Sequence, residues 1–364
     1  MLTQIDARSK FSLTRRSVLP LFILLIAAAG CNVTTPTLAP ATFTPVAVAP
    51  TTASTPPAAG ALTLFETPRD GPAPVLNAIK SATRAVDVEV YEMADPDVIG
   101  ALIADQKAGK QVRVLLNENF FSGGNHNAAT FQQLQAAGVS VKYANPAYTY
   151  THEKAIIVDA SQSNQHVLIM TMNLSPGYLG KLDPQGISLN FGLDDPNAAD
   201  VAQAEAMFNA DWSVQPYTPP ADTPLVISPI NARQKLLAQI QGATHSIHFF
   251  AQEFEDTQIV DAVVAAARRG VEVKGLVAPN ISGNKKSAQA VQAAGGQVRV
   301  LSQPYEHAKA TIVDGALVYI GSINYTATSM DKNRELGILT RQADIASQME
   351  IEFASFWGHA TNIP

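Results

Sequence analysis

The chain has 364 residues, 46% hydrophobic and 15% charged, which is long enough for roughly two ordinary domains and too apolar for a disordered chain. Its formal charge is −6, and the first 30 residues hold four cations against Asp6, so the remainder stands at about −9, which argues against a broad nucleic-acid-binding surface. The single cysteine, Cys31, excludes an intramolecular disulfide and any cysteine-based zinc site.

Taken in order, a basic stretch ending in Arg15-Arg16 and the apolar run Val18 to Ala29 have the layout of a secretory signal over 1–30. Ala28-Ala29-Gly30-Cys31 resembles a bacterial lipobox, with Ala28 in the place most often taken by leucine. The resemblance implies that Cys31 becomes a lipidated N-terminus and that the protein stands outside the cytoplasm, anchored to the cell membrane. Thr14 to Ser17 also resembles a twin-arginine signal. An uncleaved membrane anchor is the competing reading, although the run is shorter than the ~20 residues of a spanning helix. Residues 31–60, rich in Thr, Pro and Ala and without charge, are expected to form an extended tether.

From Leu62 strands and helices alternate, and the pattern then repeats. Ala85 to Met93 aligns without gaps on Ser246 to Phe254, and the match runs on through Gly109 on Gly270 and Val112 on Val273. Helices are expected at Val75 to Thr83 and Arg233 to Gly242. Each is followed by an apolar strand, a helix stopped by glycine, a strand, a short helix ending at Gly138 or Gly295, and a strand at Val139 to Tyr143 or Gln297 to Leu301. Phe208 to Trp212 matches Phe353 to Trp357 on a closing helix. The expected fold is α/β, with two pseudo-symmetric repeats, 61–214 and 225–362, joined through the proline-rich Gln215 to Pro224. Each repeat is a mixed β-sheet flanked by helices.

Each repeat also carries histidine, a spacer residue, lysine, four residues and aspartate: His152, Lys154 and Asp159, then His307, Lys309 and Asp314. On a strand the histidine and lysine share one face. Asp314-Gly315 predicts a hairpin turn that returns Gly321-Ser322-x-Asn324 beside His307 and Lys309, with Glu335 beyond. The first copy returns four residues later and reads Met170-Thr171-x-Asn173, with Asn190 where the second copy has Glu335. The bulk of Met170 is expected to narrow the pocket or move the returning strand, and Asn190 cannot hold a charge. An imidazole, an ammonium, a hydroxyl and an amide together suit attack on a phosphate and neutralisation of its charge.

These two segments resemble the HKD motifs of the phospholipase D superfamily, and the resemblance covers nearly everything from about 62 to 360. It implies an active site at the interface of the two repeats of one monomeric chain, with no metal and no cofactor. By the same resemblance His152 attacks phosphorus to form a phosphohistidine, while His307 protonates the leaving alcohol and then activates water. The more complete surroundings of His307 leave the reverse assignment open. Lys154 and Lys309 are expected to hold the non-bridging oxygens, helped by Thr171, Asn173, Ser322 and Asn324. A nucleophilic imidazole needs a carboxylate on its other nitrogen, for which Asp159, Asp314 and Glu335 are the candidates. For both aspartates a turn role competes.

Elsewhere, His126, His166, His245 and His248 lack metal-ligand spacing and are expected to be packing or surface residues. Glu92 and Glu253 are expected to hydrogen-bond the motif hairpins. Phe120, Phe121, Tyr148 and Tyr150 either contact substrate or pack the rim. The implied substrate is a phospholipid whose head group is hydrolysed, or transferred as in cardiolipin synthases. An extracytoplasmic nuclease and a weakened lipid- or phosphate-binding surface protein are the alternatives.

Overall fold

The computed structural model describes residues 61–184 and 186–363, so the expected signal, the lipidated Cys31 and the tether lie outside the described residues. The first half runs β1 (Thr63–Thr67), α1 (Ala73–Ser81), β2 (Ala85–Val90), α2 (Pro96–Lys107), β3 (Gln111–Leu116), α3 (Ala128–Ala136) and β4 (Ser140–Tyr143). It then turns into β5 (Lys154–Val158), β6 (His166–Met170), β7 (Ser188–Asp195) and α4 (Ala198–Trp212). The second half repeats this as β8 (Leu225–Ser228), α5 (Ala232–Gln241), β9 (Ser246–Ala251), α6 (Thr257–Arg268), β10 (Glu272–Val277), α7 (Ser282–Ala293) and β11 (Gln297–Val300). After the short β12 (Tyr305–Glu306) come β13 (Lys309–Val313), β14 (Leu317–Gly321), α8 (Ala327–Asp331), β15 (Glu335–Thr340), α9 (Ala343–His359) and β16 (Thr361–Asn362).

The strands form two sheets, ordered β1-β7-β6-β5-β2-β3-β4 and β16-β11-β10-β9-β13-β14-β15-β8. Within them β2-β3-β4 and β9-β10-β11 are parallel and the motif strands antiparallel, which makes both sheets mixed. The parallel part follows from its helical crossovers. Those helices begin on equivalent caps: Asp95 accepts from the Asp97 and Val98 N–H groups at the start of α2, and Asp256 accepts from Gln258 and Ile259 at α6.

Both faces of each sheet are covered, and the strands are apolar accordingly. In β5, Ile156 and Val158 pack with Val75, Ile79 and Leu102 under the helices, while Ala155 and Ile157 point the other way. That second direction leads into a core shared by the two sheets, where Phe191 and Leu193 meet Phe250, Ile312, Ile320 and Leu336 beside α4 and α9.

The motif hairpins form where the sequence places them. Asp314 and Gly315 take φ values of +53° and +59° at the centre of a turn closed by the Ala316 N–H on the Val313 carbonyl at 3.0 Å, and Val313 pairs with Leu317 across a three-residue loop. Met170 corrects an expectation. It is fully buried under the helices of the first repeat and neither narrows the cleft nor displaces β6. At the aligned Gly321, a Cβ would lie 2.4 Å from the Gly337 Cα and 2.7 Å from the Tyr319 hydroxyl. Tyr319 aligns with Leu168, so Leu168 and Met170 fill in one half the volume that Tyr319 and Gly321 fill in the other.

Two backbone exchanges tie the repeats together. β12 of the second repeat pairs with β7 through Tyr305 to Ser188 and Glu306 to Leu189. Reciprocally, Thr151 bridges to Arg334, the His152 N–H donates to the Arg334 carbonyl at 2.8 Å, and the Arg334 N–H donates to the Tyr150 carbonyl at 2.9 Å. No helix among the described residues is long and apolar enough to cross a membrane.

Candidate active site

The two exchanges carry each motif histidine to the opposite repeat. His152 donates its Nδ1 proton to Glu335 Oε2 at 2.9 Å, and His307 donates its Nδ1 proton to Asn190 Oδ1 at 2.7 Å. The proton positions are assigned from partners: a carboxylate only accepts, and the Asn190 amide nitrogen faces the Ser188 carbonyl at 3.3 Å. Both imidazoles therefore keep Nε2 as the basic atom.

Lys154 and Lys309 each bond the carbonyl oxygen of their own histidine. Lys309 also donates to Gln252 at 2.8 Å and lies 3.3 Å from both nitrogens of His307. At the position aligned with Gln252, Tyr91 sets its ring 5.4 Å from Lys154 Nζ and 4.9 Å from the His152 ring. Tyr178 packs on His307 at 4.6 Å. Beside it a cleft of about 470 Å³ is lined by Glu92, Ser175, Tyr178, Ser188, Gln252 and Tyr305 among others. The sequence reading missed Tyr91, Gln252 and Tyr178. The first two were visible as the neighbours of the aligned Glu92 and Glu253.

Burial pushes His152 down to about 4, aided by the Lys154 charge and opposed by the Glu335 carboxylate. It pushes His307 well below its ordinary value, where the charges of Lys309, Lys154 and His152 add to the effect. Burial likewise lowers Lys309 to about 7 against the pull of Glu253, and sets Lys154 well below its ordinary value against that of Glu335. Glu335 is fully buried, which raises its pKa, yet the His152 and Lys154 charges hold it below the usual carboxylate range. Burial thus disfavours the charged form of all four basic groups, and an anion placed among them would oppose that effect.

Other expected residues fall into two groups. The Asn173 and Asn324 Oδ1 atoms are buried without a protein partner beside the motifs. Thr171 and Ser322 are engaged within the fold: Thr171 donates to Asn190 at 3.2 Å and accepts from the Phe191 N–H at 3.0 Å, and Ser322 accepts from the Leu336 N–H at 3.1 Å. Ser175 donates to Glu92 at 3.0 Å, and the Glu92 and Glu253 carbonyls accept from the Leu174 and Tyr325 N–H groups.

Asp159 and Asp314 do not touch the histidines. At about 3.3 Å per residue, seven residues of strand carry each to the far end of its hairpin. Asp159 accepts from the Thr83, Arg84 and Ala85 N–H groups, and Asp314 accepts from those of Thr244, His245 and Ser246. Opposed by burial, these bonds hold both carboxylates well below their usual range. A lowered folded-state pKa stabilises above the ordinary carboxylate pKa and is lost as pH falls through the lowered one. Asp314→Asn is thus expected to lower the melting temperature at neutral pH by the equivalent of about 1–2 kcal/mol. The deficit should shrink in strong acid, and turnover per folded molecule should stay unchanged; thermal melts across pH with parallel rate assays check this.

The remaining histidines are structural: His166 meets Asp194 at 2.7 Å, and His248 meets Glu350 at 2.7 Å. Phe120 and His126 stack at 4.3 Å, Phe121 is exposed, and Tyr148 bonds Arg334. Among the described residues one group of carboxylates has metal-like spacing, Glu89, Glu153 and Asp211, and Arg334 already supplies a cation there.

A family model described as cardiolipin synthase, PLD-like domain, matches residues 75–212 and again 236–357. A polyphosphate kinase from Synechocystis sp. is 25% identical over 276 residues, 70% of this chain and 36% of its own length. A mitochondrial cardiolipin hydrolase from Xenopus laevis is 28% identical over 130 residues, 35% of this chain and 61% of its own. The chain thus spans about a third to three fifths of these relatives. Among solved structures, phosphatidylserine synthase from Haemophilus influenzae superposes with a TM-score of 0.66 at 12% identity, covering 83% of this chain and 87% of its own, a likeness of fold.

Proposed function

Since this chain belongs to the cardiolipin synthase, PLD-like domain family, matched once in each repeat, we propose that it hydrolyses or transfers the head group of a phospholipid through a phosphohistidine on His152. The observation that carries the assignment is the unequal pairing of the two histidines. A carboxylate on Nδ1 makes an imidazole more basic at Nε2 and stabilises the positive charge it gains on attacking phosphorus. An amide on Nδ1 only orients the ring, so the protonated form gives up its proton more readily. On this reading the Glu335 contact supports His152 as the nucleophile and the Asn190 contact supports His307 as the acid.

His152 Nε2 forms the bond to phosphorus as the bond to the head-group oxygen breaks, and the His307 Nε2 proton passes to that oxygen. Water, or an acceptor alcohol, then gives its proton to His307 and displaces the histidine. Lys154 and Lys309 neutralise the non-bridging oxygens throughout. His307 needs its proton only in the complex, and the phosphodiester anion raises its proton affinity on arrival.

The net charge of about −9 after residue 30 favours a zwitterionic lipid over a polyanion, and the leader with Cys31 supports an extracytoplasmic, lipid-anchored location. Detergent-solubilised full-length protein in EDTA is expected to release head group from phosphatidylcholine or phosphatidylglycerol vesicles. Cleavage of DNA or RNA without lipid turnover would replace this reading with a nuclease, and vesicle binding without any turnover would replace it with a binding protein.

A further inference from the structure

Behind the His152–Glu335 pair lies a group of charges that the other half lacks. Side chains alternate along extended backbone, so Glu153 projects from the reverse of the segment bearing His152 and Lys154, and Arg334 from the reverse of the one bearing Glu335. Glu153, Glu89 of β2 and Asp211 of α4 bring one oxygen each within 4.8 Å of the others. Arg334 lies with Nε 2.8 Å from Asp211 Oδ2, donates from Nη2 to Oδ1 at 3.0 Å, and stacks on the Tyr148 ring at 4.4 Å. None of the four is more than 2% exposed, and both oxygens of Glu89 lack a hydrogen-bond partner.

The repeat alignment places Phe250, Ala308, Phe356 and Leu189 at the corresponding positions, and the Phe250 and Phe356 rings meet edge to face at 6.4 Å. At these four positions one half carries apolar side chains and the other three carboxylates around one guanidinium; the second half keeps a single buried carboxylate, Glu306, beside its histidine. Buried charge costs more than an apolar filling of the same volume, so packing alone does not call for this group. Its distribution follows the chemistry above it: the charged set backs the histidine paired to Glu335, the apolar set the one paired to Asn190.

We infer that Glu89, Glu153, Asp211 and Arg334 are positioning residues that clamp Tyr148–Glu153 of the first repeat onto Asn333–Glu335 of the second, holding Glu335 against His152. The inference rests on His152 being the nucleophile proposed above. Arg334 grips the first repeat twice, by its backbone to Tyr150 and His152 and by its side chain to Asp211 and Tyr148. Burial pushes Glu153 up to about 8 and Glu89 well above the usual range, against the charge of Arg334. Facing Glu153 are Asp211, Arg334, Lys154, Glu335 and Glu89; burial raises Asp211 as well, against the pull of Arg334, which contacts it at 2.8 Å.

The test transplants the apolar set: Glu89→Phe, Glu153→Ala, Asp211→Phe and Arg334→Leu together, in the full-length protein. The expected result is a folded protein whose kcat falls about tenfold or more at little-changed KM. The Nδ1–H resonance of His152 in nitrogen-15 spectra should be lost as well. That resonance needs no substrate, so it reports on the clamp even where the proposed lipid chemistry fails. Wild-type kcat and an unchanged His152 resonance in a folded quadruple variant would overturn the inference. Where the quadruple variant does not fold, Arg334→Lys decides by the same readouts: it keeps the charge but not the two-pronged grip, so loss of both signals supports the clamp and retention of both refutes it.

Discussion

Replacing His152 by alanine is expected to lower kcat by about 10⁴-fold or more and to leave no phosphorylated protein. His307→Ala should slow natural substrates by a similar order yet trap a phosphohistidine. The difference comes from what each group does in the first step. Bond formation to phosphorus needs Nε2 of His152, whereas His307 is needed only to protonate a poor leaving group, and a p-nitrophenyl diester leaves without a proton. Rapid mixing of His307→Ala with such a diester should release one equivalent of p-nitrophenolate in a burst, with the remaining monoester phosphoryl group, its second alcohol still attached, on His152 by mass spectrometry. No burst is expected from His152→Ala. A burst from His152→Ala and none from His307→Ala would reverse the assignment, and adducts in both would remove the covalent mechanism as written.

The residues of this site were legible in the chain because they are periodic and duplicated. Strand alternation set His152 and Lys154, like His307 and Lys309, together, and Asp314-Gly315 fixed the hairpin that returns Ser322 and Asn324. Their partners were not legible, because aligning two repeats assigns each residue to its own copy. Glu335 sits in the second repeat and serves His152 of the first, an exchange that depends on the Thr151–Arg334 bridge, two segments about 180 residues apart. The aspartates misled for a different reason: they were weighed as carboxylates able to pair with an imidazole, although seven residues of strand already carry them to the far end of the hairpin. Met170 misled because its bulk was weighed alone, when Leu168 two residues earlier is the small partner to the Tyr319 that fills the same volume beside Gly321. The charged group behind His152 was visible as four charges aligned on Phe250, Ala308, Phe356 and Leu189, a mismatch that marks a position where the two halves do different work.

Glu335→Gln should be nearly as damaging as loss of the nucleophile, although it removes only a charge. The amide occupies the same volume and can still bond Nδ1, but it can also donate, which favours the tautomer with its proton on Nε2 and hides the nucleophilic lone pair; a fall in kcat of about 10³–10⁴-fold is expected. The pH profile separates this from a mere loss of stability. Glu335 opposes the burial that pushes His152 down to about 4, so its removal lowers that value further and moves the acid limb of kcat to lower pH. Asn190→Asp does the opposite at the other histidine: a carboxylate on Nδ1 raises the proton affinity of His307, extends the alkaline limb to higher pH and weakens the acid. Combining Glu335→Gln with Asn190→Asp therefore exchanges the two environments, and the phosphoryl group in a trapping experiment should move from His152 to His307. Recovery of the adduct on His152 in the double variant would show that the lysines and tyrosines around the rings, and not the Nδ1 partners, decide which histidine attacks.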